Sequence, residues 1–299
     1  MKKSVSMLLA ALMLTGALAG CGSSASTSDS RAADGADSGV SGAITVISRE
    51  DGSGTRGAFI ELTGVEEKTA DGKKVDNTTA DAEIANKTDV VLTSVAGNEK
   101  AIGYISLGAL NDTVKAVKVD GAEATVDNVK AGAYKLSRPF NIATKGEPTG
   151  VAKDFINFIL SKEGQAVVTD NKYIAVNDAA GSFVSDGSSG QIAVGGSSSV
   201  SPVMEKLIEA YKSVNPNASI DLQTSDSTSG MTGAMDGTFA IGMASRELKD
   251  EEAAQLTGTA IALDGIAVIV NPANTIDELS MDQIKSIYVG DITDWGDLA

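Results

Sequence analysis

From residue 42 onward, short apolar runs alternate with stretches whose apolar positions recur every three to four residues. Runs rich in β-branched residues at 43–48, 101–106, 192–194, 219–223, 240–243 and 261–270 predict strands. Residues 151–168 and 202–214 predict helices. In the second, Val203, Met204, Leu207, Ile208, Tyr211 and Val214 fall on one face behind Pro202, a residue suited to a first helical turn. Strands alternating with helices predict an α/β fold with mostly parallel sheets.

The joints between these elements are unusual. SREDGSGTRGAF, residues 48–59, joins a predicted strand to a predicted helix through glycines, hydroxyls and arginines. Gly52 and Gly54 allow successive N–H groups to converge, Ser53 and Thr55 add hydroxyls, and Arg49 adds a full positive charge. Three more joints have this character: GGSSSVSP with Ser197, Ser198 and Ser199; SDSTSG with Ser227, Thr228 and Ser229; and ASRELKDEE with Ser245 and Arg246. Each alone reads equally well as a helix cap or turn. Together, at the carboxyl ends of parallel strands, they can ring a small tetrahedral anion.

Composition narrows the chemistry. The 299 residues hold 24 basic and 40 acidic side chains, one cysteine and no histidine. Without histidine there is no Ser-His-Asp hydrolase, histidine base or histidine metal site, and a single cysteine excludes a disulfide framework or cysteine metal cluster. A Ser-Lys pair stays formally open, but the expectation is a binding protein, not an enzyme, with no metal or cofactor. Strong acidity also argues against nucleic acid as a partner. The chain opens MKKSVSMLLAALMLTGALAGCGSS, an export signal over 1–20 followed by a lipobox, which makes Cys21 the expected lipidated residue. Residues 21–41, poor in groups to bury, form an expected tether holding the protein on the outer face of the cell membrane by its lipid alone.

The blocks REDGSGTR, GSSSVSPVMEKL, GMASRELKDEE and ALDGIAVIVNP together resemble the phosphate-binding lipoproteins of Pst-type ABC importers. The resemblance implies a two-lobed, class II periplasmic-binding-protein fold with a hinge, clamping inorganic phosphate and delivering it to a membrane permease. It makes Arg49, Ser53, Gly54 and Thr55 ligands from one lobe and Ser198, Ser199 and Ser227 ligands from the other, with Asp51 orienting Arg49. A related oxyanion, sulfate or molybdate, or a non-transport sensory role, is the alternative.

Two departures from the family pattern stand out. The GSGT block precedes SIYVGDITDWGDL instead of following it, so the chain looks circularly permuted. Permutation implies one lobe from 42–137 plus 271–299, the other from 138–270 with a linker at 177–190, and a hinge near Ser137 and Val270. The second departure is Arg246, which stands where the family carries an aspartate that accepts phosphate's proton and so repels sulfate. Arg246 cannot accept a hydrogen bond, and as a ligand it would add charge pairing instead.

Overall fold

The computed structural model describes residues 40–298. The export segment, Cys21 and nearly all of the tether lie outside the described residues. Among the described residues, no helix is long and apolar enough to cross a membrane.

Nine strands form one sheet: β1 (Thr45–Arg49), β2 (Glu83–Ala85), β3 (Ala101–Ser106), β4 (Lys115–Ala116), β5 (Ser137–Thr144), β6 (Gly190–Ser197), β7 (Ala218–Ser225), β8 (Ile241–Ala244) and β9 (Thr257–Val270). The order is β7-β6-β8-β5-β9-β3-β1-β2, with β4 also paired to β9. The main helices are α1 (Gly54–Thr63), α2 (Thr88–Ala96), α3 (Gly150–Ile159), α4 (Lys162–Asp170), α5 (Ser201–Val214), α6 (Ser227–Asp236) and α7 (Met281–Val289).

The sheet is mixed, not mostly parallel. Its flanks, β7-β6-β8 and β3-β1-β2, are parallel. Between them β5 and β9 pair antiparallel with each other, β5 with β8 and β9 with β3. Strand β5 escapes the apolar-run pattern because Arg138, Pro139 and Asn141 interrupt it. The predicted helix over 151–168 is two helices. Ser161 Oγ accepts from Gly164 N at 3.2 Å and restarts the chain as α4. A Cβ on Gly164 would overlap the Phe158 carbonyl oxygen, so the corner needs glycine.

Two large cores divide the sheet. The first draws on β1, β3, α1, α2 and α7 and is crossed by residues 266–270 of β9; Trp295, Tyr104, Tyr134, Tyr288 and Phe59 are its largest members. The second draws on β5, β6, β8, α3, α4 and α5, with Ile261 and Ala262 of β9. The change of core thus falls inside β9 between Ala262 and Ile266, earlier than the crossover expected near Val270. A 14-residue strand long enough to serve both cores explains the shift.

The 177–190 stretch has no regular structure over 180–189, yet it is tied down. Phe183 N donates to Glu163 Oε2 at 2.7 Å, and the Phe183 ring meets Phe158 edge-on. Buried Asp154 accepts from Ser185 Oγ at 2.7 Å and Asp186 N at 3.0 Å. The same carboxylate takes Tyr211 OH at 2.7 Å and Asn215 Nδ2 at 3.1 Å, which fastens α3, α5 and the connection into one unit.

Candidate functional site

Arg49 ends β1 and is 1% exposed. Its backbone N–H donates to Tyr104 OH at 3.2 Å, and the Tyr104 ring stacks on Phe59 at 3.9 Å, so the first core sets where this arginine leaves the sheet. Burial pushes the Tyr104 hydroxyl up to about 12, so it stays protonated. The guanidinium is held in a fork: Nε and NH2 donate to Glu50 Oε2 and Oε1, each at 2.8 Å. NH2 also reaches Ser198 Oγ, across from the other core, at 3.1 Å. NH1 is buried and has no partner among the described residues.

The loop after β1 turns into α1. Ser53 caps the helix by accepting from Arg56 N at 3.3 Å. Gly54 and Thr55 open the first turn, where backbone N–H groups lack intrahelical acceptors and the helix dipole favours negative charge. Thr55 Oγ1 lies 2.8 Å from Ser199 Oγ.

Opposite stand the ends of β6 and β8 and the start of α6. Gly196, at φ 135°, packs against Gly230; a Cβ there would overlap the Met243 carbonyl oxygen and sit 3.0 Å from Gly230 Cα. That glycine contact seats α6 on the sheet and brings Ser227 to the edge. Ser227 Oγ accepts from Ser245 N at 3.1 Å, and Ser197 Oγ donates to Ser245 Oγ at 2.9 Å. A Cβ on Gly54 would overlap Ser227 Oγ and stand 2.8 Å from Ser245 Oγ, so the two sides meet closely across this glycine. Thr228 N closes the rim by donating to the Gly52 carbonyl at 3.2 Å.

Six residues expected as ligands, Arg49, Ser53, Thr55, Ser198, Ser199 and Ser227, are therefore buried around one seam, with Gly54 between them. Arg246, also expected at the ligand, and Asp51, expected to orient Arg49, make other contacts. Asp51 is exposed and pairs with Arg56 NH1 at 2.7 Å; the acid that orients Arg49 is Glu50. A carboxylate adjacent in sequence folds back onto the guanidinium, while Asp51 sits at the turn pointing outward. Arg246 gives both terminal nitrogens to Glu252, at 2.7 and 2.8 Å, and NH2 to Thr228 Oγ1 at 3.3 Å. Burial would raise the Glu252 carboxyl, but Arg246 and the Lys249 N–H outweigh it and hold the carboxyl below its ordinary range.

Thr88, the first residue of α2, is a member that the motifs did not reveal. Its Oγ1 lies 3.3 Å from Ser199 Oγ and 3.4 Å from Ser198 Oγ, and it is buried. The only signal in the chain is a threonine opening an apolar helical run, with no glycine beside it.

The seam carries hydroxyls, a helix start and a guanidinium with a buried N–H that has no partner among the described residues. This donor set suits a small oxyanion.

A mixed sheet carrying two cores, with polar loops from both meeting at its middle, defines a two-lobed solute-binding protein. Residues 26–163 and 182–299 match the PBP superfamily domain. Phosphate-binding protein PstS 2 of Streptococcus agalactiae is 50% identical over 300 residues, covering 99% of this chain and 98% of that protein. Phosphate-binding protein PstS 2 of Streptococcus pneumoniae is 48% identical over 296 residues, covering 99% of each. A crystal structure of a phosphate-binding protein of a phosphate ABC transporter from Streptococcus pneumoniae superposes with a TM-score of 0.69 at 50% identity, covering 86% of this chain and 100% of that one. The chain belongs to the PBP superfamily and, within it, to the PstS family.

Proposed function

We propose that this protein captures inorganic phosphate between two lobes outside the cell and hands it to an ABC permease, without catalysis. The observation that carries the reading is Arg49 NH1: a buried cationic N–H with no partner among the described residues, on a guanidinium whose NH2 reaches Ser198 in a cluster with Ser199, Thr55 and Thr88. A buried unpaired donor on a charged group is costly, and an oxyanion supplies the acceptor. The relatives' phosphate-binding names support the same assignment.

The ligand set we assign is Arg49, Ser53, Gly54, Thr55, Ser198, Ser199 and Ser227, with Thr88 added. Arg246 we place on the rim, where its fork to Glu252 and its bond to Thr228 stiffen one jaw. The lobes follow the two cores, one made from the chain's beginning and end and the other from its middle, joined through β5 and β9. That arrangement supports the permuted order inferred from the motifs. Cys21 we assign as the lipid anchor.

Calorimetric titration of the purified protein with phosphate, sulfate and molybdate at pH 6 and pH 8 tests the reading. Micromolar or tighter phosphate binding, about −8 kcal/mol, with weaker sulfate binding supports it. Preference for sulfate or molybdate would reassign the ligand within the same fold.

A further inference from the structure

Among the described residues, four buried side-chain polar atoms have no hydrogen-bond partner: Arg49 NH1, Arg138 Nε, Arg138 NH1 and Tyr173 OH. The first belongs to the proposed phosphate site. The other three belong to a second buried cluster, none of whose residues the sequence reading made a ligand.

Arg138 and Asp264 are opposed residues of β5 and β9, in the part of the sheet where the chain passes between the cores. Arg138 is 3% exposed and Asp264 1%. Only NH2 of the guanidinium is used, donating to Asp264 Oδ2 at 3.1 Å. Asp264 Oδ1 is taken by Ser106 Oγ at 2.9 Å. The Arg138 guanidinium carbon stands 5.5 Å from the Phe140 ring centroid, which fixes one face.

The strand registers locate this cluster. Arg49 and Ser106 end the parallel neighbours β1 and β3, so they share the carboxyl edge of the first half. Strand β9 pairs Ile266 with Ser106, which carries Asp264 past the end of β3 to that same edge. Strand β5 pairs Asn141 with Ala244, the last residue of β8, so Arg138 lies beyond the end of β8, on the side where Ser245 begins. Arg138 therefore shares this edge of the sheet, on a strand between the one bearing Arg49 and the one that ends before Ser245. The charge of Arg49 is near enough to help lower the Arg138 pKa, although burial is the main cause.

We propose that Arg138 is a second guanidinium of the oxyanion site, presented by Asp264 and Ser106 so that its free N–H groups contact the same ligand as Arg49. The proposal rests on the phosphate reading above. Each guanidinium then has one carboxylate that fixes its plane, Glu50 or Asp264, and leaves N–H groups for the anion. Asp264 acts through Arg138 and is a positioning residue.

The test is phosphate calorimetry on the full mature chain and on Asp264→Asn, Arg138→Lys and the Arg138→Gln/Asp264→Asn double variant, each with its ligand-free melting temperature. Removing a buried pair together avoids stranding one charge, so the double variant separates a structural role from a ligand role. We expect Asp264→Asn, which keeps an acceptor for Arg138 but not the charge that fixes its plane, to bind about three- to tenfold more weakly, and the double variant and Arg138→Lys to bind at least about tenfold more weakly at unchanged melting temperature. Double-variant affinity within about twofold of the unaltered protein overturns the proposal. No phosphate binding by the unaltered protein would instead overturn the reading of the whole site. Should the variants not fold, a crystal structure of the unaltered protein with phosphate decides: a ligand oxygen within about 3.2 Å of Arg138 Nε or NH1 supports it, and Arg138 bonded to water alone overturns it.

Discussion

Thr55, in the first turn of α1, and Ser199, in the loop after β6, come within 2.8 Å of one another through their hydroxyls although 144 residues separate them. One belongs to a helix that packs on the first core, the other to a loop leading into a helix of the second. Their contact, with Arg49 to Ser198 at 3.1 Å, shows that the serine-rich loops of the chain close on a single place.

Arg49→Ala should abolish useful phosphate binding while leaving the fold. Arg49 supplies the free N–H and, through NH2, holds Ser198. Loss of one charge-assisted contact and its dependent hydroxyl should weaken binding by about 100-fold, roughly 3 kcal/mol. Calorimetry measures it; binding equal to the unaltered protein would remove Arg49 from the site.

Gly54→Ala should block closure without harming either core. The new methyl would overlap Ser227 Oγ and approach Ser245 Oγ, both on the opposite side. Alanine is otherwise favourable in a helix, so α1 itself should tolerate it. We expect at least about tenfold weaker phosphate binding and a larger radius of gyration in X-ray scattering with phosphate present. A compact variant of full affinity would contradict the seam as drawn.

Asp264 sets a pH dependence of stability. Burial pushes its carboxyl up from 3.8 to about 6, against the opposing pull of Arg138 and Ser106. The folded state therefore holds a proton that the unfolded chain releases between about pH 4 and 6. The contribution of this group is greatest below about pH 4 and falls as pH rises through 6, by an amount on the order of 3 kcal/mol. Melting curves of the phosphate-free protein and Asp264→Asn at pH 4, 5, 6 and 7 test this. The stability of the unaltered protein relative to the variant should decline across that window, and a constant difference would refute the shift.

Asp154→Ala should loosen the connection at 180–189. Burial opposes ionisation of Asp154, but donors from Asp186, Ser185, Tyr211 and Asn215 outweigh it and hold the carboxyl below its ordinary range. Removing it leaves those donors without their acceptor, at a cost of about 3 kcal/mol. Urea denaturation should show that loss, and limited proteolysis should cut the connection faster. Unchanged cleavage would mean that Phe183 alone holds it.

The outlines of this fold were legible because apolar periodicity reports burial. Strand β3 was read at its true bounds, and α5 was read to within one residue. Strand β5 was not, because its place depends on pairing with distant strands: β9 pairs along it from Ser137, β8 joins only at Asn141, and Arg138 and Pro139 stand in the strand through β9 alone, which local pattern does not show. The helix break at Ser161 was missed for a similar reason: Gly164 matters only because the Phe158 carbonyl approaches it.

What the sequence by itself determined was the kind of group on offer. Absent histidine and a lone cysteine remove histidine-based proton transfer and histidine or cysteine metal sites, while repeated Gly, Ser and Thr joints offer the donors that suit an anion. Only the tertiary structure decided which groups meet. It chose Glu50 over Asp51 as the partner of Arg49, drew Thr88 into the seam, turned Arg246 toward Glu252 and set Arg138 beside Asp264. Hydrogen bonds act over about 3 Å, a distance that strand register and core packing control and that separation along the chain does not.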